Sequence, residues 1–281
     1  MEDSIQHISD TAFWIAGFRA RETERKDAAF KDILAKKLAG EKGLQMVSDT
    51  PHSKVMAFAM VVRTAAIDKL ILSAVSQGID AVINLGAGLD TRPYRLELPR
   101  QLKWIEVDFE GLIKYKNEKL GEDIPACQLK RIAADLSDDD ERRKLLSELG
   151  SEIKRALVIT EGVIGYLTNE QAAKLSKDIY SIPSFAFWVQ DYSQGKMRQH
   201  RRSKDLVKMV KHTPLQFKCK DPIGFFHEHG WGLKENIFIL DEADLIGRSM
   251  PMMLPWNLLI KLPPVRQLAN KTYGYAMFAK A

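Results

Sequence analysis

Asp80-Ala81-Val82-Ile83-Asn84-Leu85-Gly86-Ala87-Gly88-Leu89-Asp90-Thr91-Arg92-Pro93 is the stretch that decides the fold. A short apolar run rich in β-branched residues leads into Gly86-Ala87-Gly88 and a polar turn, which is the pattern of a buried parallel strand that ends beneath a ligand. Glycine lets the backbone approach a bound group closely because it has no Cβ. Asp90 or Thr91 can cap a following helix, whose first turn tolerates Pro93. The stretch therefore predicts a strand, a glycine turn and a helix.

A second strand, Lys103-Trp104-Ile105-Glu106-Val107-Asp108, ends on an acid about 20 residues past the glycines. In a doubly wound sheet this acid lies beside the glycine turn and can accept both hydroxyls of a ribose. A dinucleotide fingerprint needs a third glycine at the sixth position, where this chain has Thr91. A cofactor with a ribose and no phosphates fits better, and S-adenosylmethionine is such a cofactor. An NAD(P)-dependent oxidoreductase is the competing interpretation of the same turn.

Later strands carry further candidate ligands at their carboxyl ends, where open α/β sheets bind ligands. The predicted strand over 129–134 precedes Asp135 and Leu136, that over 156–160 precedes Glu161, and that over 185–189 runs into Asp191 and Tyr192. A sixth strand is predicted near 236–240, and a last, antiparallel strand over 271–280. The predicted fold is a Rossmann-like, doubly wound, mostly parallel α/β sheet in a single domain, 1–281. A helical N-terminal segment (1–75) precedes the sheet region (76–281), and a helical insertion near 193–222 forms a cap.

Two arginines stand out in the predicted N-terminal helices. Arg63 lies in an apolar helix over about 55–75, where a buried guanidinium is costly unless it meets an anion. That anion is either a ligand or a structural partner such as Asp68. Arg19 lies on an amphipathic helix beside Phe13 and Trp14, which indicates a packing helix with a solvated face.

The run Asn84-Leu85-Gly86-Ala87-Gly88-Leu89-Asp90-Thr91-Arg92, with Glu106-Val107-Asp108 after it, resembles the leucine carboxyl methyltransferase family, including its bacterial branch of polyketide-type O-methyltransferases. Further matches follow over roughly residues 12–192: Arg19-Ala20-Arg21-Glu22-Thr23, Arg63, Ala134-Asp135-Leu136 and Glu161-Gly162-Val163-Ile164-Gly165-Tyr166-Leu167. The resemblance implies a class I S-adenosylmethionine-dependent methyltransferase.

The resemblance also implies roles for these residues. The segment around Arg19 folds over the cofactor, Arg63 binds its methionine carboxylate, and Glu161 pairs with its α-amino group. Asp135 accepts a hydrogen bond from the adenine amino group, while the Leu136 backbone reads the ring edge. The cofactor set is completed by residues of the glycine turn and the second strand: Gly86, Gly88, Asp90 and Asp108.

Catalysis of methyl transfer needs chiefly an acceptor oxygen held in line with the sulfonium methyl. A carboxylate acceptor needs no base, whereas a hydroxyl needs one. Tyr166 faces the predicted reaction centre, where it either orients the substrate or is a buried tyrosine with one hydrogen-bond partner. Either Asp191 or Tyr192 could contact substrate or act as a general base; the sequence does not rank them. No His–acid pair is evident in the crevice, which favours a carboxylate or an acidic phenol.

The resemblance leaves the acceptor open. Eukaryotic members of the family methylate a protein C-terminal carboxylate, whereas the bacterial relatives act on small molecules, which makes a small, polyketide-like metabolite the first expectation here. A non-catalytic S-adenosylmethionine-binding protein is the remaining alternative.

Composition limits the other partners. The 281 residues include 42 basic and 37 acidic ones, so the net charge of +5 is a small surplus and a weak argument for nucleic acid. Only Cys127 and Cys219 occur, which excludes a disulfide framework and indicates a reducing compartment. With an acidic start and no long apolar run, the sequence predicts a cytoplasmic protein away from membranes.

Three other motifs are given the simpler interpretation. The basic stretch 196–211 is typical of a solvated helix, although it could bind an anionic partner. His227 and His229 are two residues apart and would diverge on a helix end, so no metal site is expected. The Pro- and Met-rich stretch 250–264 could lid the acceptor pocket or form a homodimer contact.

Overall fold

A seven-stranded sheet forms the centre of the computed structural model, which describes residues 9–50, 53–193, 215–252, 255–270 and 272–280. Its strands are β1 Ala81–Leu85, β2 Lys103–Asp108, β3 Gln128–Ala133, β4 Ala156–Thr160, β5 Phe185–Ser193, β6 Trp231–Phe238 and β7 Tyr273–Lys280. Their order across the sheet is β3-β2-β1-β4-β5-β7-β6. The first five are parallel, and β7 runs antiparallel to both β5 and β6. The predicted mostly parallel sheet with an antiparallel last strand is confirmed.

Helices flank the sheet on both faces and precede it. They are α1 Asp10–Thr23, α2 Ala35–Asp49, α3 Ser53–Ser76, α4 Arg92–Arg95, α5 Glu110–Leu120, α6 Asp139–Ser151, α7 Asn169–Ser181, α8 Pro222–His227, α9 Ile239–Leu245, α10 Trp256–Leu259 and α11 Pro263–Asn270, with a 3₁₀ turn at Ile164–Tyr166. The first three form the predicted N-terminal helical segment. Most of the predicted insertion at 193–222 and the basic stretch 196–211 lie outside the described residues. Within the described part of the chain, no helix is long and apolar enough to cross a membrane.

The sixth strand is the element whose predicted position was wrong. It was expected near 236–240, but β6 starts at Trp231 and ends at Phe238, and the chain then enters α9. Its pairing with β7 shifts register between Leu233 and Glu235, which breaks the alternation of apolar and polar residues that marks a strand. Trp231, fully buried, is what ties the first half of β6 to the core.

Alternation along the strands sorts side chains onto two faces of the sheet. One face packs against α6, α7 and α8 around Trp188, and the other packs against α3 and α9 around Trp104 and Met277. Neighbouring strand residues point to opposite faces. In β5, Tyr192 lies in the first core, so Asp191 belongs to the face covered by α3.

Close helix packing holds α1 above the glycine turn. A Cβ on Gly43 of α2 would lie 2.4 Å from the carbonyl oxygen of Phe13, and one on Gly17 would lie 2.6 Å from the carbonyl oxygen of Gly43. One on Gly88 would lie 3.3 Å from Cβ of Ala12. The backbones of α1 and α2 can approach this closely only because glycine has no side chain.

We expect Gly43→Ala to lower the free energy of unfolding by about 1–3 kcal/mol, because the added methyl overpacks the contact between α1 and α2. Gly111→Ala is the matched control. That glycine is also helical, has open space around its Cβ position, and should gain up to about 1 kcal/mol from helix propensity. Urea unfolding measures both values. Equal effects of the two substitutions would contradict the packing argument.

Candidate functional site

The glycine turn after β1 is built for close approach. Gly86 and Gly88 have φ angles of +71° and +50°, in the left-handed region that favours glycine. The N–H groups of Gly86 and Ala87 both donate to the carbonyl oxygen of Val107 in β2. A Cβ on Gly86 would lie 2.6 Å from Cγ2 of Val163. The turn is therefore fixed against β2, with no room for a side chain at Gly86.

Asp108, the last residue of β2, lies directly beside this turn as predicted. Its Oδ2 accepts the N–H of Gly88 at 2.6 Å, and its Oδ1 accepts the N–H of Phe109 at 2.7 Å. Burial raises the pKa of the carboxyl group above its ordinary value, although both backbone N–H groups oppose the shift. Each oxygen retains acceptor capacity, so the carboxylate can still accept ribose hydroxyls.

Asp90 serves the protein's own structure. Its Oδ1 accepts the backbone N–H of Arg92 at 3.0 Å, and its Oδ2 accepts from Asn84 at 2.9 Å and from Nη1 of Arg92 at 3.1 Å. Thr91 is the residue preceding α4, but its side chain does not cap the helix; the hydroxyl donates to Asp32 at 2.6 Å instead. Of the two predicted capping residues, Asp90 therefore binds the start of α4 and Thr91 does not.

A buried ion network extends from Asp90 across the edge of the sheet. Nε of Arg92 lies 2.6 Å from Asp68 of α3, and its Nη1 lies 2.7 Å from Glu161 at the end of β4. Arg95 binds Asp68 at 2.6 Å, and Arg63 lies 2.8 Å from Glu161. Arg95 also lies 4.0 Å from Asp32, the partner of Arg19. The members are Arg19, Asp32, Arg63, Asp68, Asp90, Arg92, Arg95 and Glu161. Four cations and four anions balance, as burial of charge requires.

Arg63 and Glu161 form the part of the network nearest the predicted cofactor. Burial alone would raise the pKa of Glu161, but Arg92 and Arg63 outweigh it and hold the pKa below its usual value. Burial would lower the pKa of Arg63, yet Glu161 and Asp191 raise it, so the guanidinium stays charged. The closest approach is that of Nε of Arg63 to Oε1 of Glu161 at 2.8 Å, without hydrogen-bond geometry, and within the described residues the donors of Arg63 make no side-chain hydrogen bond. They are free to bind a carboxylate.

The structure shows the ion pair that the simpler interpretation of Arg63 required, and the ligand contact stays a prediction. Its structural partner is an acid, as the simpler interpretation required, but that acid is Glu161; Asp68 is taken by Arg92 and Arg95. The terminal nitrogens leave the predicted contact with a methionine carboxylate available. The Glu161 carboxylate could bind an α-amino group, and the guanidinium donors of Arg63 could bind a carboxylate. This pair of groups fits the amino-acid end of S-adenosylmethionine.

Arg19 has a packing role in this structure. Its Nε donates to Asp32 at 2.8 Å, and its Nη2 donates to the carbonyl oxygen of Leu89 at 2.5 Å. Arg19 therefore fastens α1 to the glycine turn, and its direct contact with a cofactor stays a prediction.

The predicted adenine contacts lie after β3. Asp135 is exposed, and its Oδ1 accepts the N–H of Ser137 at 2.9 Å, which forms a tight polar turn. Leu136 is half-buried against the core beneath that turn. Both residues lie at the same sheet edge as Asp108, since β3 is the neighbour of β2. Their contacts with adenine also stay predictions.

The structure separates Asp191 from Tyr192, which the sequence could not rank. Oδ1 of Asp191 accepts the N–H of Gly162, next to Glu161, at 2.6 Å. The Tyr192 hydroxyl instead donates to Asn236 of β6 at 3.1 Å, on the other face of the sheet. Asp191 therefore joins the site beside Arg63, and Tyr192 does not.

Two tyrosines complete this end of the site. The side chain of Tyr166 is hydrogen-bonded to that of Thr11 in α1, and burial raises the pKa of the Tyr166 hydroxyl. Tyr273, which the sequence reasoning missed, donates from its hydroxyl to Oδ2 of Asp191 at 3.3 Å, and its pKa is raised by burial and by the nearby Asp191 charge. The alternation of tyrosines in Tyr273-Gly274-Tyr275 was the only sequence signal, and it indicates a strand.

In the part of the chain that the structure describes, no three His, Cys, Asp or Glu side chains are grouped so that they could hold a metal ion. His227 ends α8, while Nδ1 of His229 lies 2.7 Å from the carbonyl oxygen of Phe225.

Comparison with known proteins identifies relatives along most of the chain. The sequence profile of the family described as leucine carboxyl methyltransferase matches residues 12–180. A protein of Mycobacteroides abscessus named as an S-adenosyl-L-methionine-dependent methyltransferase is 26% identical over 274 residues, which cover 89% of this chain and 90% of that protein. A protein of Streptomyces coelicolor with the same type of name is 28% identical over 242 residues, covering 79% and 82% of the two chains.

Solved structures show the same fold. A DUF574 family protein from Streptomyces avermitilis has a TM-score of 0.59 at 13% identity and covers 95% of this chain and 97% of its own. A protein from Thermobifida fusca named as a methyltransferase has a TM-score of 0.56 at 13% identity, with 94% of each chain covered. These likenesses concern the fold alone.

We expect Asp90→Asn to lower the free energy of unfolding at neutral pH by about 1–3 kcal/mol, because Arg92 loses a charged partner. The pKa of Asp90 is lowered in the folded protein, where the charge of Arg92 outweighs the effect of burial. The stabilisation from its charge is therefore present above the ordinary aspartate pKa of about 3.9 and is lost as the pH falls from there towards the folded-state pKa.

Urea unfolding at a series of pH values tests this expectation. The stability curves of wild type and Asp90→Asn should converge in acid. Asp49→Asn, which changes an exposed carboxylate bonded to Gln45, should stay within about 0.5 kcal/mol of wild type at every pH. A constant gap between wild type and Asp90→Asn down to low pH would contradict the electrostatic explanation.

Proposed function

From the premise that this chain belongs to the leucine carboxyl methyltransferase family, we propose that it is an O-methyltransferase that methylates a hydroxyl group of a small molecule, with Asp191 as general base. Its relatives are named as S-adenosyl-L-methionine-dependent methyltransferases, so S-adenosylmethionine is its methyl donor. The observation that carries the proposal is the Asp191 carboxylate, held by the Gly162 N–H at 2.6 Å next to Glu161.

The cofactor's two ends are matched by separate groups at the sheet edge. Asp108 and the glycine turn would hold the ribose, with Asp135 and Leu136 on the adenine side. Arg63 and Glu161 would hold the methionine carboxylate and α-amino group. When bound, S-adenosylmethionine supplies an electrophilic methyl group on its sulfonium.

Asp191 would act on the acceptor. The acceptor hydroxyl donates a hydrogen bond to Oδ2 of Asp191, the oxygen that Tyr273 approaches at 3.3 Å. Asp191 would take the hydroxyl proton as the acceptor oxygen gains the methyl group that the sulfonium loses. The products are a methyl ether and S-adenosylhomocysteine, and Asp191 returns its proton to water. Positioning supplies most of the acceleration, and proton removal adds to it.

A hydroxyl acceptor is favoured over a carboxylate by the charges beside Asp191. An incoming carboxylate would meet the like charge of Asp191. Among the described residues, the cation beside Asp191 is Arg63, which already faces Glu161. The sequence shows no His–acid pair, which favoured a carboxylate or an acidic phenol as acceptor. In the proposed site, Asp191 supplies the base that such a pair would have provided. These charges also argue against a protein C-terminal carboxylate.

Asp108→Ala should abolish cofactor binding, because the ribose loses its acceptor. Calorimetric titration of wild type with S-adenosylmethionine, S-adenosylhomocysteine and NADH should give about micromolar affinity for the adenosyl ligands and none for NADH. Asp49→Ala, an exposed acid on α2, serves as control and should bind like wild type. Binding of NADH alone would instead support the oxidoreductase interpretation, and binding of no ligand by wild type would remove the proposed cofactor.

Asp191→Asn should lower methyl transfer to phenols by about 10²–10⁴-fold while S-adenosylhomocysteine binding is retained, since the base is lost and the cofactor contacts are not. The assay uses tritiated methyl donor with a panel of phenols and the matched benzoic acids. Ethers keep the label in alkali, whereas methyl esters release it as methanol. Labelled esters made at equal rates by wild type and Asp191→Asn would contradict the proposed base and acceptor.

A further inference from the structure

We propose that Arg92 is a positioning residue for the cofactor: it holds Glu161 so that this carboxylate receives the α-amino group while Arg63 stays free for the methionine carboxylate. This inference rests on the proposed cofactor contacts of Glu161 and Arg63. An arginine next to the glycine turn would thus position the residues that bind the charged end of the ligand.

Arg92 acts through Glu161, because its own side chain is enclosed. It is 3% exposed and lies in the first turn of α4. Its Nε is bound to Asp68 at 2.6 Å, and its Nη1 lies 3.1 Å from Asp90 and 2.7 Å from Oε2 of Glu161. The first two contacts fix the guanidinium, so the third fixes Glu161.

Glu161 stands between two arginines that approach different oxygens. Arg63 lies 2.8 Å from Oε1, and Arg92 donates to Oε2 at 2.7 Å. A carboxylate oxygen has two lone pairs, so each oxygen can still accept one bond from an ammonium group. The hydrogen bond from Arg92 to Oε2 and the ion pair of Arg63 with Oε1 together orient the carboxylate and its remaining lone pairs.

Loss of Arg92 would change what Arg63 does. Glu161 would keep one cationic partner, and a carboxylate and a guanidinium prefer two parallel hydrogen bonds. Arg63 would then turn a terminal nitrogen to Glu161 and withdraw it from the methionine carboxylate. With Oε2 of Glu161 bound by Arg92, Arg63 is left with Oε1 alone, and the cost of losing Arg92 falls on the amino-acid end of the ligand.

A merely structural role for Arg92 makes a different prediction, which two ligands can distinguish. S-Adenosylhomocysteine carries the amino-acid end, and 5′-methylthioadenosine carries the adenosine and sulfur without it. If Arg92 only stabilised the fold of the turn, both ligands would lose affinity together. If it positions Glu161, only the ligand with the α-amino group loses affinity.

Calorimetric titration of wild type, Arg92→Met, Glu161→Gln and the double variant with both ligands tests the proposal. Arg92→Met should weaken S-adenosylhomocysteine by about tenfold or more and change 5′-methylthioadenosine by no more than about twofold. In the Glu161→Gln background the same substitution should add little, because its effect passes through Glu161. Arg266→Met is the control and should leave both affinities unchanged. It removes from α11 an arginine that is paired with Asp241 and Asp244 of α9.

Three outcomes would overturn the proposal: equal loss for both ligands, additive losses in the double variant, or unchanged binding of S-adenosylhomocysteine by Arg92→Met. If wild type binds neither ligand, the proposed cofactor fails first. Should Arg92→Met not fold, Asp68→Asn loosens the same guanidinium from the α3 side and carries the same expectation for the two ligands.

Discussion

Burial of eight paired charges around the carboxyl edge of the sheet is the constraint on which the site depends. Arg92 alone contacts carboxylates from α3, from the glycine turn and from the end of β4. Ions taken out of water must be compensated by well-placed partners, because an unpaired buried charge is strongly destabilising. α3, α4 and β4 are thus held at fixed relative positions by side chains as well as by the apolar core. The network also leaves donors of Arg63 and lone pairs of Glu161 uncommitted, so one arrangement serves both the fold and the ligand.

The two ends of the site differ in kind. At β2, Asp108 is oriented by the backbone N–H groups of Gly88 and Phe109 and would face a neutral ribose. At β4, Glu161 is approached by two arginines and would face the charged end of the ligand. Asp191 lies beyond it on β5, tied to the same loop through Gly162. Cofactor and acceptor would therefore share one loop, 161–162, which places the acceptor oxygen near the sulfonium without a separate catalytic element.

Much of the fold was predictable because its signals are local. The apolar run before Gly86 and the acid at Asp108 lie within single strand-and-turn units, and both lie where the sequence indicated. β6 was misplaced because a register shift near Leu233 hides its alternation. Of the two residues predicted to cap α4, only Asp90 contacts its start. The hydroxyl of Thr91 donates instead to Asp32, 59 residues away in the chain.

The sequence by itself determined the succession of strands from β1 to β5, the glycine turn with its adjacent acid, and the resemblance to the family, since short-range periodicity and motif spacing are carried by neighbouring residues. Only the tertiary structure decided which charges meet. Arg92 and Glu161 are 69 residues apart, and Asp191 and Tyr273 are 82 apart. The tertiary structure likewise decided that Asp191 points into the site and Tyr192 does not, because Asp191 lies on the face of β5 that α3 covers. Such pairings arise when the sheet closes, and nothing in the local pattern of either partner encodes the other.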